Sequence, residues 1–119
     1  MQPYTEAVPI MSGKVTTPTT GDLVDHYWSY NKGFNVLALE VLVLTAGAQA
    51  ASYILLETSD GTELARITMG TTAAGVIATV FVADSLVAQA AGTIVRCKHV
   101  TTDASAVYRF RVWGTPGFN

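Results

Sequence analysis

Four of the chain's seven lysines and arginines fall between residues 96 and 111: Arg96, Lys98, Arg109 and Arg111, in the stretch RCKHVTTDASAVYRFR. Cations this dense suit the recognition of anions. Arginine forks onto carboxylate or phosphate oxygens through two parallel hydrogen bonds, and lysine acts as a mobile point charge. Successive side chains alternate across a strand, so Arg96, Lys98 and Val100 share one side and Val107, Arg109, Arg111 and Trp113 share a side of the next run. Joined antiparallel around 102–105, the two runs would form a hairpin with Lys98 beside Arg109 and Arg96 beside Arg111. The opposite face would pair His99 with Tyr108, Cys97 with Phe110 and Val95 with Val112 as core. Three uses of the cationic face follow. It can be a solvated surface whose charged heads reach Glu57 or Glu63, a contact for carboxylates of another protein, or a phosphate contact. The last fits least, because no aromatic residues alternate with the cations except Trp113 at the end.

The other chemically capable residues do not assemble into a reaction. Asp22, Asp25 and His26 stand close in sequence but lack the further ligands of a zinc or calcium site. His99 falls on the core face opposite Tyr108, where a satisfied structural histidine is expected. No serine sits in a Gly-x-Ser-x-Gly elbow, and there is no glycine-rich phosphate loop. The single cysteine, Cys97, excludes an internal disulfide and reads as a buried thiol. The expectation is a protein that is not an enzyme and holds no cofactor or metal. One aromatic cluster, Tyr27, Trp28 and Tyr30 followed by Phe34, could stack a sugar or fill a partner's pocket, or it could close one end of the fold.

These residues need elements to hold them. From Asn35 onward, short β-rich runs alternate with turn residues, the pattern of an all-β sandwich or barrel. Strands are expected over 35–44, 52–58, 63–69 and 76–82, in addition to the two cationic runs. The second and third should form a hairpin around Ser59-Asp60-Gly61-Thr62. Asp84 could cap a short helix reaching Gly92. Before residue 34, Pro3, Pro9 and Pro18 interrupt the chain, which predicts an extended arm with at most an edge strand near 13–17. The domain reading is an arm over 1–33 and a sandwich over 34–119.

At 119 residues the chain suits one core. Only 13% of it is charged while half is apolar, so part of the surface is expected to be covered by something else. A net charge of -2 argues against direct nucleic-acid binding. The start lacks a secretory signal pattern, which predicts synthesis in the cytoplasm, and no run approaches the ~20 apolar residues of a membrane span.

The Pro-interrupted segment from Gln2 to Met11, the Ala/Thr/Val/Gly-rich strands and the closing Val107-Tyr-Arg-Phe-Arg-Val-Trp-Gly114 together resemble the decoration (cement, head-stabilising) proteins of tailed-bacteriophage capsids. The resemblance implies a single jelly-roll-like β-sandwich with an extended N-terminal arm and at most one short helix. It also implies a structural virion protein on the capsid surface, made in the host cytoplasm. Its partners would be the major capsid protein and copies of itself, as a dimer or trimer. Contacts would come from Tyr4, Ile10 and Met11 of the arm and from Arg96, Lys98, Arg109 and Arg111. The alternative is a carbohydrate- or receptor-binding sandwich module of a phage tail or surface assembly, using Tyr27, Trp28 and Tyr30.

Overall fold

The computed structural model describes residues 7–16, 23–100 and 105–116, with backbone alone for 23–27. It contains β1 (Val8–Thr16), β2 (Leu23–Trp28), β3 (Phe34–Thr45), β4 (Tyr53–Thr58), β5 (Glu63–Thr68), β6 (Ile77–Phe81), α1 (Asp84–Val87), β7 (Ala88–Gln89), β8 (Val95–Val100) and β9 (Val107–Pro116). The pairing nests outward from one turn. β4 pairs with β5, β3 with β6, β2 with β8 and β1 with β9, all antiparallel. Folded over, this ribbon gives a first sheet in the order β1-β9-β3-β6, with β7 also on β3, and a second sheet in the order β2-β8-β4-β5. That connectivity is a jelly roll, so the expected all-β sandwich is what forms.

The starting turn shows why the ribbon bends there. Gly61 has φ of 95°, a conformation that costs other residues strain, and Asp60 accepts hydrogen bonds from the Thr58 hydroxyl and the Thr62 N–H. These bonds hold the Asp60 carboxyl below its ordinary pKa.

Alternation sets the core. Val36, Leu39, Val41 and Val43 of β3 and Phe110 and Val112 of β9 face Ile54, Leu56, Val95 and Cys97 of the second sheet, and all are buried. Each such side chain contributes about 1.5–3 kcal/mol of burial free energy. His99 and Ser52 are also fully buried, with Ser52 Oγ 2.8 Å from His99 Nε2, so the histidine is a bonded core residue as expected.

Three local expectations differ from the structure. The segment before residue 34 supplies two strands, because Met11 and Val15 alternate inward and are buried in the core while β1 and β2 bond to the sheets. Pro9 is tolerated there because β1 is an edge strand with a bulge between Pro9 and Met11. The helix stops at Val87 and gives way to β7, so it never reaches Gly92. Finally, β8 and β9 are not hairpin partners, since they lie in different sheets. In place of the like-charge pairs a hairpin would create, Arg96 lies opposite Glu57 and Arg111 opposite Glu40. Opposite charges across strands stabilise where like charges repel.

Candidate binding surface

The four cations therefore divide between the two outer faces. On the second sheet, Arg96 Nε donates to Glu57 Oε2 at 2.7 Å, and Lys98 Nζ lies 3.1 Å from the same oxygen. The Glu57 side chain is only 6% exposed. Burial alone would push this carboxyl up, but the hydrogen bonds from Lys98 and Arg96, together with their charges, outweigh it and hold the pKa below the ordinary value. Nearby, Arg66 bonds Glu63 at 2.7 Å and its guanidinium sits 4.1 Å from the Tyr53 ring centre. Each cation here has a local partner, so this face is internally compensated.

The outer face of the first sheet is built differently. Register places Ser12, Arg111, Glu40 and Thr79 in one row across β1, β9, β3 and β6, and Lys14, Arg109, Leu42 and Ile77 in the next. A third row runs from Trp113 through Ala38 to Phe81. Arg111 has a long contact with Glu40 at 3.7 Å and lies 5.4 Å from the Trp113 ring centre. Lys14 stands directly opposite Arg109, and among the described residues neither has a carboxylate at salt-bridge distance. Beside these cations, Phe81 is 78% exposed and Ile77 59%.

Two shallow hollows mark the face. One, about 360 Å³, is lined by Ser12, Lys14, Glu40, Leu42, Arg109 and Arg111 among others. The other, about 480 Å³ and mainly apolar, lies among Ala38, Thr79, Phe81, Val82 and Trp113. Adjoining apolar and cationic hollows fit a partner surface that offers apolar side chains next to carboxylates.

The remaining expected site residues are elsewhere. Met11 is in the core, which makes it unavailable as a surface contact. Ile10 is half-buried, packs against the core and presses on Gly114, where an added Cβ would lie 2.9 Å from Ile10 Cδ1. Trp28 meets Phe34 edge-on at 4.8 Å and stacks on Tyr30 at 6.0 Å, both half-buried against the core. Those rings are turned onto one another and onto the core. Tyr4, Asp22 and the side chains of Asp25, His26 and Tyr27 lie outside the described residues. Among the described residues, no group of three His, Cys, Asp or Glu gathers to hold a metal, and no helix is long and apolar enough to cross a membrane.

Lys14, Ile77 and Phe81 were not singled out from the sequence. For Lys14 the signal is alternation, since Met11, Gly13 and Val15 oppose core residues and leave Ser12, Lys14 and Thr16 outward. For β6 it is a strand apolar on both faces, which can bury only one of them in a two-layer fold. No protein-family model, curated protein or solved structure matches this chain.

Proposed function

We propose that the protein is a non-enzymatic docking module that lays the outer face of its first sheet on an acidic, partly apolar surface of a larger protein assembly. The observation that carries this reading is the Lys14–Arg109 like-charge pair beside exposed Ile77 and Phe81. A like-charge pair directly across strands costs a few tenths of a kcal/mol. A partner's carboxylates would remove that cost, and its apolar groups would cover Ile77 and Phe81.

Within this class, the assembly we favour is a tailed-bacteriophage capsid, with the major capsid protein as partner and the virion surface as location. Support comes from the jelly-roll sandwich, the low surface charge and a docking face in which each contact is modest. Repetition on a lattice multiplies such contacts into firm attachment.

The test is sedimentation from the native source at low and at high salt, followed by rebinding of purified protein to stripped particles. Wild-type protein should travel with a megadalton particle at low salt and less so at high salt. Rebinding should fail for Arg109→Gln/Arg111→Gln and for Phe81→Ser while Lys98→Gln rebinds. A protein that sediments slowly in both salts, or rebinding indifferent to the first-sheet variants, overturns the reading.

A further inference from the structure

The four sheet edges are not equally protected against pairing. β1 carries Pro9, Lys14 and a bulge, β2 has an irregular register between Leu23 and Tyr27, and β5 sets Glu63 and Arg66 along its outer side. Charges, prolines and bulges of this kind keep a sheet edge from adding a strand. β6, Ile-Ala-Thr-Val-Phe, has no charge, no proline and an unbroken register with β3. Its core-facing residues, Ala78 and Val80, are only half-buried.

The backbone direction follows from the flanking bonds. Val43 N–H donates to Val76 C=O at 3.0 Å and Val82 N–H donates to Leu37 C=O at 2.9 Å. The even-numbered residues of this strand therefore bond to β3, while the N–H and C=O groups of Ile77, Thr79 and Phe81 point away along the free edge. The side chains of the same three residues lie on the exposed outer face.

We propose that β6 pairs antiparallel with β6 of a second copy about a two-fold axis at Thr79. This register sets Thr79 opposite itself and Ile77 opposite Phe81 of the second copy, twice by symmetry. The pairing adds about six backbone hydrogen bonds, and it joins two first sheets into one continuous sheet. Apolar side chains meet apolar ones across the axis, no like charges are opposed, and Ala78 and Val80 gain cover. A foreign strand would use the same backbone groups, and a second copy also meets the Ile77/Phe81 spacing with its own complement. The inference stands without the docking reading. Where both hold, the dimer presents two cationic patches flanking a shared apolar row of Ile77 and Phe81 side chains.

The test combines mass and register. Light scattering on the full chain across a concentration series should approach twice the 12.6 kDa of one copy. Thr79→Lys, which opposes two charges on the axis, should return it to one copy, as should Thr79→Pro, which removes an N–H that β3 does not use. Under a copper–phenanthroline oxidant, Thr79→Cys should cross-link, since directly opposed Cα atoms about 5.5 Å apart lie within disulfide reach. Ile77→Cys should not, because its copies lie about 14 Å apart along the strands. Cys97 is buried and does not compete. A single-copy mass at every concentration, or cross-linking equal at both positions, overturns the proposal.

Discussion

Glu57→Gln tests whether Arg96 and Lys98 are held by the fold. Two charge-assisted hydrogen bonds converge on one Glu57 oxygen at 2.7 and 3.1 Å. Such bonds contribute about 1.5–3 kcal/mol each, whereas an exposed ion pair contributes about 0–1. The glutamate is 6% exposed, which places it near the buried limit, but each cation is 27% exposed and can turn partly to water. Glutamine also keeps an acceptor. The net loss should be about 2 kcal/mol. For 119 residues the unfolding entropy is about 0.25 kcal/mol/K, so the melting temperature should fall by about 8 °C near pH 7. The folded carboxyl lies below its unfolded pKa, so its contribution is full above the unfolded value, ~4.3, and is lost as pH falls through the folded value. Wild type and variant should converge in acid. Thermal melts by circular dichroism from pH 7 to pH 3 would refute the reasoning if the gap were below about 2 °C at neutrality, or unchanged through the carboxylate range.

Arg109→Gln/Arg111→Gln should change stability by no more than about 0.5 kcal/mol in urea unfolding, since Arg111 is 46% exposed and its Glu40 contact is long; a larger loss would assign these arginines to the fold. Gly114→Ala should destabilise by about 2 kcal/mol or more, because the new Cβ would lie 2.3 Å from the Asn35 carbonyl oxygen on β3, and an unchanged urea midpoint would contradict that packing. His99→Leu should cost about 1–3 kcal/mol through the hydrogen bond lost at Ser52, and adding Ser52→Ala should cost less than the sum of the two single changes. Additive costs would mean that the two side chains do not act together.

The face of each strand was legible where its alternation was strict. Val95, Cys97 and His99 and their counterparts Tyr108, Phe110 and Val112 point inward as read, because a period of two fixes the side of a strand irrespective of its neighbours. The partner of a strand is not carried by that period. His99 and Tyr108 do come near each other, with ring centres 6.1 Å apart, but across the sandwich from opposite sheets. The short connection after Val100 suited a hairpin equally well, whereas the fold sends the two strands to different sheets. Glu40 and Glu57 give Arg111 and Arg96 opposite-charge neighbours. The two strands before residue 34 were hard to read for a related reason. Proline content marks edge strands as well as arms, and the inward alternation of Met11 and Val15 was the stronger signal.

The same topology explains why closeness in sequence misjudged the surface. A jelly roll interleaves the two ends of the chain, so the first sheet draws from residues 8–16, 34–45, 77–81, 88–89 and 107–116. Lys14 and Arg109 become direct neighbours although they lie at opposite ends of the sequence, while Lys98, closer in sequence to Arg109, goes to the other face. What distinguishes the faces is therefore compensation rather than the number of cations. Arg96 and Lys98 bind the buried carboxylate of Glu57 on the outer face and have little left for a partner. Lys14 and Arg109 oppose each other beside exposed apolar residues, and this is where a partner's carboxylate gains most. A charge added near Glu57 should change folding, whereas one added near Ile77 should change association.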